Sequence, residues 1–203
     1  MDRALLLAER GRGNRVDPDT IEAFLLALRL GATGIRTDAW TTRDGVVVLA
    51  GSRSSGTGMR RRRLRSTDLA EIDAQTPTLA AVHEALPAGT AIVLTVGDPD
   101  AVASIVEVTT ARGSLDELWL CHDDLSLLKR WRDDHPDVAL CARSRLRELP
   151  GGAERQAAVL RDAGIEALEL PRDEWTVGLT TLCHRFGRQA WAYGATHERM
   201  VHE

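Results

Sequence analysis

The sequence has one lysine, no histidine before His83 and no long apolar run, and each absence limits the functions that the chain could have. Lys129 is the only lysine among 26 basic residues, so arginine carries nearly all of the positive charge. The formal net charge of −4 is too mild to indicate a nucleic-acid or membrane partner. No stretch approaches the roughly 20 apolar residues that a membrane span needs. We therefore expect neither a nucleic-acid partner nor a membrane span.

The cysteines are few and show no pairing pattern. Cys121, Cys141 and Cys183 are odd in number, have no Cys-x-x-Cys spacing and lie in apolar stretches. Such cysteines are typical of small buried side chains in a reducing compartment. The apolar stretch Ala4–Ala8 is too short for a secretory leader and lacks a cleavage site after it. We therefore expect a cytoplasmic protein.

Short apolar runs alternate with amphipathic stretches, which is typical of βα units around a parallel sheet. The predicted strands are Ala4–Ala8, Gly34–Trp40, Val46–Ala50, Ala91–Val96, Glu117–Cys121, Val138–Ala142, Ile165–Leu170 and Gln189–Tyr193. The predicted helices begin at Asp17, which would cap the first, and at Pro77, and are otherwise centred on Ala101–Ala111, Asp124–Asp134, Ala153–Ala163 and Thr176–Phe186. Gly113, Gly164 and Gly187 would end three of them.

The pattern predicts an α/β barrel of the TIM type with its eighth strand missing. Seven strands are of the barrel kind, Val46–Ala50 is a hairpin partner, and Thr196–Glu203 is a stub of helix, whereas a closed (β/α)₈ barrel needs eight strands. We expect a single domain over 1–203, with 51–75 as a loop or small insertion. The open edge would be covered by a homodimer or by a tail helix, because proteins rarely leave strand edges exposed.

Eight short motifs follow one another along the chain in a definite order. They are Glu9-Arg10-Gly11, Asp17-Pro18-Asp19-Thr20, Arg36-Thr37-Asp38, Thr42-Arg43-Asp44-Gly45, Ala50-Gly51, Pro77-Thr78-Leu79, Thr95-Val96-Gly97 and Trp191-Ala192-Tyr193-Gly194. Their order and spacing resemble the glycerophosphodiester phosphodiesterases. That family has His-Arg-Gly, Pro-Glu-Asn-Thr, Glu-x-Asp, Thr-x-Asp-Gly, His-Asp, Pro-Thr-Leu, Glu-x-Lys and Trp-Thr-x-Asn in the same order. The resemblance covers essentially the whole chain.

The resemblance implies a two-histidine phosphodiesterase in a barrel. One histidine would handle the proton of the attacking group, and the other would protonate the leaving alkoxide. Carboxylates at strand ends would hold Ca²⁺ or Mg²⁺ against the phosphate oxygens. An arginine beside the first histidine would stabilise the phosphate charge.

This sequence departs from the family at most of those positions. The first histidine falls on Glu9 and the second on Ala50, and no histidine occurs before His83. The acid after the second histidine falls on Gly51, and the first metal carboxylate falls on Arg36. The third-strand carboxylate and the following lysine fall on Thr95 and Gly97. The residues that keep family roles are Arg10, Asp38 and Trp191.

These losses favour an inactive relative. Each general acid–base group contributes about 10²–10⁴-fold to a rate, and a guanidinium at Arg36 would repel a divalent cation. We therefore expect no cofactor, with Asp38 as the residual metal ligand. Glu9 and Arg36, at the ends of adjacent strands, would form an ion pair in place of the metal contact, unless both point into water.

Several residues remain candidates for binding. Arg10, Arg36 and Arg143 would line a positive cup for a phosphate or carboxylate, unless they are scattered surface arginines. His122 would be a substitute base or would only fill a shelf. Trp40 and Trp191 would line the ligand cup or pack the barrel top. The arginine-rich stretch 60–65 would grip an anionic partner or form a solvated loop.

Two functions follow from different classes. The first is a non-catalytic phosphodiesterase-like protein that binds a small anionic or phosphorylated ligand or a partner enzyme. The second is an active phosphoric diester hydrolase of glycerophospholipid metabolism that uses a non-standard set such as Glu9, Asp38 and His122.

Overall fold

The computed structural model describes residues 5–11, 16–56 and 62–195, which form ten strands and six α-helices. The strands are β1 (Leu7–Glu9), β2 (Gly34–Thr41), β3 (Val47–Leu49), β4 (Ser54–Ser55), β5 (Arg62–Arg63), β6 (Ala91–Val96), β7 (Leu118–His122), β8 (Ala139–Arg143), β9 (Ala167–Pro171) and β10 (Gln189–Tyr193). The helices are α1 (Ile21–Arg29), α2 (Leu79–Ala85), α3 (Val102–Ala111), α4 (Leu125–Asp134), α5 (Gly152–Asp162) and α6 (Val177–Arg185).

The strands of the main sheet follow the order β1-β2-β6-β7-β8-β9-β10, and β3 pairs with β2. β1 and β6 both run parallel to β2, and β9 runs parallel to both β8 and β10. β3 is antiparallel to β2, as the hairpin turn predicts. The predicted α/β class is therefore confirmed in the described residues, with seven barrel-type strands and one hairpin partner. The predicted helix at 196–203 lies outside the described residues.

Side-chain caps begin four of the helices. The hydroxyl oxygens of Thr20, Thr78 and Thr176 accept hydrogen bonds from the N–H groups at the starts of α1, α2 and α6. The Asp124 carboxylate does the same at the start of α4. Each cap satisfies a backbone donor that the helix itself leaves without an acceptor. At the other end, Gly113, Gly164 and Gly187 have positive φ angles of 69°, 67° and 68°, which confirms them as helix stops.

The predicted start of the first helix is wrong by three residues. Thr20, not Asp17, caps α1, and the Thr20 Oγ1 accepts from the Ala23 N–H at 3.2 Å. Asp19 adopts a left-handed φ of 60° and turns its carboxylate away from the helix. Thr20 is also a favoured cap residue, so the motif does begin the helix but with its last residue as the cap.

The chain divides into two compact units, Met1–Leu120 and Cys121–Glu203. The core of the N-terminal unit contains β2, β3 and β6, whose apolar side chains include Ile35, Leu49 and Leu94 at 0% exposure. The insertion 51–75 belongs to this unit and is anchored by Leu64 and Ile72, which pack with Val48 and Trp40. The expectation of a single domain over 1–203 stays a prediction.

The core of the C-terminal unit lies around β8 and β9. Leu140, Leu168 and Leu170 are fully buried, and Trp131 of α4 is 2% exposed. All three cysteines of the chain are buried, as predicted. Within the residues that the structure describes, no helix is long and apolar enough to cross a bilayer.

The described part of the arginine-rich stretch 60–65 is engaged in ion pairs. Arg62 contacts Glu71, and Arg65 contacts Asp98 at 3.3 Å and Asp100 at 3.0 Å. The first two arginines of the stretch lie outside the described residues. The contacts of Arg65 join the insertion to Asp98 and Asp100, whereas the Arg62 pair lies within the insertion itself. The side chains of both arginines are largely exposed, as in the solvated-loop alternative.

Candidate functional site

β1, β2 and β6 place four of the predicted residues side by side, although Arg36 is the third residue of β2 and not at the end of its strand as expected. The strand register pairs Glu9 with Arg36 and Asp38 with Thr95. Arg36 is 6% exposed, and its Nη2 donates a hydrogen bond to the Thr95 Oγ1 at 3.3 Å. Glu9 is exposed at the end of β1. The adjacency of Glu9 and Arg36 is as expected, whereas the predicted ion pair between their side chains stays a prediction.

Arg10 turns toward a buried carboxylate. It follows β1 with a left-handed φ of 58°, and its Nε and Nη2 lie 2.7 Å and 2.5 Å from the Asp19 Oδ2. The hydrogen bond from Arg10 to Asp19 raises the pKa of the Arg10 guanidinium. Asp19, which is 6% exposed, also accepts hydrogen bonds from the Thr37 hydroxyl at 2.6 Å and the Gly51 N–H at 2.8 Å. Arg10, Asp19, Thr37 and Gly51 thus form one network, here called the Asp19 hub.

The guanidinium of Arg10 lies directly against Gly51. A Cβ atom built at Gly51 would be 1.9 Å from the Arg10 Cζ. The sequence resemblance places a carboxylate at this position, after a histidine at Ala50. The space that an acidic side chain would need is therefore filled by Arg10.

The indole of Trp40 occupies the corresponding space at Gly97. A Cβ atom at Gly97 would be 2.4 Å from the Trp40 ring. The Trp40 Nε1 donates to the Ala50 carbonyl at 2.8 Å, which holds the ring in place. The resemblance places a lysine at Gly97, and the structure puts an aromatic ring there. Of the two alternatives for Trp40, its contacts with Leu64 and Ile72 match packing at the strand ends.

A second group of polar residues lies on β8, β9 and β10 of the C-terminal unit. The register pairs Arg143 with Glu169, and Glu169 with Trp191. Glu169 is 2% exposed, and its Oε2 lies 3.8 Å from the Arg143 Nε. The Arg143 guanidinium also stacks over the Tyr193 ring at 4.2 Å from its centroid. Arg143 is therefore fixed from two sides.

Sequence reasoning missed Glu169. The feature that could have identified it is a single acidic residue in the otherwise apolar strand Ala167–Pro171, all of which is buried. A buried carboxylate requires a compensating charge or hydrogen bonds. The strand pattern alone did not show that Arg143 lies next to it.

His122 and Trp191 have well-defined local contacts. The His122 Nδ1 accepts the Asp124 N–H at 2.8 Å, and its ring meets Trp131 edge-on at a centroid distance of 5.5 Å. The Trp191 Nε1 donates to the Gln189 Oε1 at 2.9 Å. These contacts agree with a packing role for His122, while the binding roles predicted for both residues stay predictions.

The fold is that of the glycerophosphodiester phosphodiesterases. Solved structures of such enzymes superpose on essentially the whole chain, at sequence identities low enough that the likeness concerns the fold alone. This agrees with the resemblance in motif order and with the predicted barrel-type architecture.

Three of these solved structures show the extent of the likeness. The enzyme from Thermotoga maritima has a TM-score of 0.83 and 18% identity, covering 100% of this chain and 91% of its own. A phosphodiesterase from Oleispira antarctica, in complex with the product sn-glycerol-3-phosphate, has a TM-score of 0.81 and 17% identity, covering 98% and 87%. The enzyme from Agrobacterium tumefaciens has a TM-score of 0.79 and 18% identity, covering 98% and 91%. No family model and no curated protein matches the sequence.

The expectation that no cofactor is used is wrong for this fold. The structures that share the fold are phosphodiesterases of a class that usually uses a divalent metal ion. The donor set around Asp38 nevertheless does not fit a Ca²⁺ or Mg²⁺ site, because the Arg36 guanidinium lies on the Thr95 hydroxyl. In the described residues no group of three His, Cys, Asp or Glu side chains could hold a metal ion. The fold is therefore one that usually holds a divalent metal ion, whereas the side chains around Asp38 do not fit one.

Proposed function

We propose that this protein is a pseudoenzyme with the glycerophosphodiester phosphodiesterase fold, which binds a small anionic or phosphorylated molecule and does not hydrolyse it. The observation that supports inactivity is that two positions where the family has functional side chains are filled by other residues. Arg10 lies on Gly51, and Trp40 lies on Gly97. A side chain regained at Gly97 would have to displace the Trp40 ring, whereas one regained at Gly51 would have to move the end of the Arg10 side chain away.

The missing proton-transfer groups support the same proposal. Glu9 and Ala50 stand where the resemblance has histidines, and each such group contributes about 10²–10⁴-fold to a rate. The His122 Nδ1 already accepts a backbone N–H, which leaves only its other nitrogen for proton transfer.

Anion binding is supported by the environment of Arg143. In the described residues, no side chain or carbonyl accepts a hydrogen bond from its two Nη groups, and the guanidinium is fixed by Tyr193 and Glu169. A fixed guanidinium fork binds carboxylates and phosphates with little loss of side-chain entropy. The sn-glycerol-3-phosphate bound to the Oleispira antarctica phosphodiesterase indicates the kind of ligand to test.

Hydrolysis assays test the inactivity. We expect glycerophosphocholine and a chromogenic phosphodiester to be cleaved no faster than in buffer, with Ca²⁺, Mg²⁺ or Mn²⁺ supplied. Cleavage that is lost in Asp38→Ala but retained in the exposed control Arg130→Gln would contradict the proposal and identify an active hydrolase of glycerophospholipid metabolism.

Thermal shift and calorimetry with glycerol 3-phosphate test the binding. We expect glycerol 3-phosphate to raise the melting temperature of the wild type and to bind Arg143→Gln about tenfold more weakly. Arg130→Gln removes the same charge from the exposed face of α4 and serves as the matched control. Equal affinity of the two variants would show that Arg143 is not the anion site.

A cytoplasmic location and a homodimer complete the proposal. The three buried thiols support a reducing compartment. The terminal strand β10 carries no charged residue and no proline, the usual protections of an edge strand, which supports pairing with a second copy. Sedimentation equilibrium should give twice the chain mass, and a monomer mass at micromolar concentration would contradict the dimer.

A further inference from the structure

A cavity of about 530 Å³ lies in the C-terminal unit where β7, β8 and β10 end. Its walls carry both signs of charge. The positive residues are Arg143 and Arg145, and the negative residues are Asp123, Asp124 and Glu148. A site for a simple anion would not need three carboxylates, because each repels the ligand. The question is which of these charges are available.

Glu148 has a partner in Arg147 at 3.5 Å, a residue that does not line the cavity. Two more of the five charges, those of Asp124 and Arg145, are committed to local structure. The Asp124 carboxylate caps α4, accepting from the Ser126 N–H at 2.7 Å, and these backbone hydrogen bonds lower the pKa of Asp124. Arg145 lies 3.4 Å from Glu174, a residue that does not line the cavity. Both residues therefore shape the wall and do not need a ligand for charge balance.

Arg143 is the cationic anchor of the cavity. Its guanidinium is held over Tyr193 and lies 3.8 Å, through Nε, from the buried Glu169. This arrangement leaves both Nη groups for a ligand, and their fork matches a carboxylate or a phosphate.

Asp123 is the anionic anchor. Its side chain is 83% exposed at the edge of the cavity, and its Oδ1 lies 3.1 Å from the His122 Nδ1, the same atom that accepts the Asp124 N–H. No other described group donates a hydrogen bond to the Asp123 carboxylate. A ligand ammonium in the cavity would give this exposed carboxylate a direct positive partner.

We infer that this cavity binds a small zwitterion, with its carboxylate or phosphate on Arg143 and its ammonium on Asp123. The inference rests on the proposed function and names the ligand class of the same anion site. A ligand with one negative group only would meet Arg143 but would also lie near the negative charge of Asp123. A ligand with both charges satisfies both anchors.

Isothermal titration of the full chain with matched small molecules tests this. O-Phosphoethanolamine is compared with ethyl phosphate, and β-alanine with propionate, so that each pair differs only by the ammonium group. We expect each zwitterion to bind about fivefold more tightly than its anionic partner, with the difference shrinking in high salt because Asp123 is exposed. The tighter of the two zwitterions identifies phosphate or carboxylate as the anionic group.

Two variants assign the anchors. Asp123→Asn should abolish the advantage of the zwitterions and leave ethyl phosphate unchanged or slightly tighter, whereas Asp133→Asn, on the exposed part of α4, should preserve it. Arg143→Gln should weaken all four ligands. If ethyl phosphate binds as tightly as O-phosphoethanolamine, the inference of a zwitterion site is wrong, while the proposed anion site at Arg143 is retained. If none of the four binds, both the inference and the proposed binding function are wrong.

Discussion

Replacing Asp19 with alanine is expected to lower the free energy of unfolding by about 3–5 kcal/mol, the cost of removing one partner from a buried ion pair. The Asp19 carboxylate is 6% exposed and accepts hydrogen bonds from Arg10, Thr37 and Gly51. Alanine would leave the Thr37 hydroxyl and the Gly51 N–H without an acceptor in a buried place. It would also have to adopt the left-handed φ of 60° found at Asp19.

Urea denaturation with two companion variants checks this expectation. Asn at position 19 keeps one acceptor oxygen and tolerates the left-handed conformation, so Asp19→Asn should lose only about half as much stability. Asp17→Ala removes an exposed carboxylate two residues earlier and should change stability by less than about 0.5 kcal/mol. If Asp19→Ala and Asp17→Ala unfold at the same urea concentration, the Asp19 hub does not stabilise the fold.

The strands could be predicted well because their signal is local. β6 and β10 have the predicted limits. β6 is almost entirely buried, and a continuous apolar run bounded by turn residues is what a strand buried on both faces requires. β1 is less accurate, because the run Ala4–Ala8 continues into Glu9 and the strand is Leu7–Glu9. Pairing with β2, and not the apolar run, determines where β1 ends.

The Asp19 hub could not be predicted from the sequence. Asp17-Pro18-Asp19-Thr20 matches a helix start, and nothing local shows that the Asp19 carboxylate meets Thr37 and Gly51, which lie 18 and 32 residues away. The same holds for Glu169, whose neighbour Arg143 lies on another strand. Contacts between distant residues decide the site, and hydrophobic periodicity carries no information about them.

The sequence also showed which side chains are missing without showing what replaces them. Gly51 and Gly97 were identified as losses relative to the phosphodiesterase pattern. The structure shows that Arg10 and Trp40 occupy the space beside these glycines. A loss that neighbours have filled is harder to reverse than an empty position, and the following prediction depends on that difference.

Gly97→Ala is expected to destabilise the protein by about 1–3 kcal/mol, as overpacking does. The new methyl group would lie 2.4 Å from the Trp40 ring, which cannot move without losing the hydrogen bond to the Ala50 carbonyl. The same substitution at Gly178, inside α6, meets nothing nearer than 3.9 Å. Gly178→Ala should therefore stabilise by about 0.5–1 kcal/mol, because alanine has the better helix propensity.

A double-mutant cycle with Trp40→Ala separates steric conflict from any other effect of residue 97. In the Trp40→Ala background the methyl group has room, so Gly97→Ala should then change the unfolding free energy by less than about 0.5 kcal/mol. An equal loss in both backgrounds would mean that Trp40 does not fill the position. The cycle also bears on function, because a lysine ammonium at position 97 could reach the strand ends only after the Trp40 indole had left the space beside Gly97.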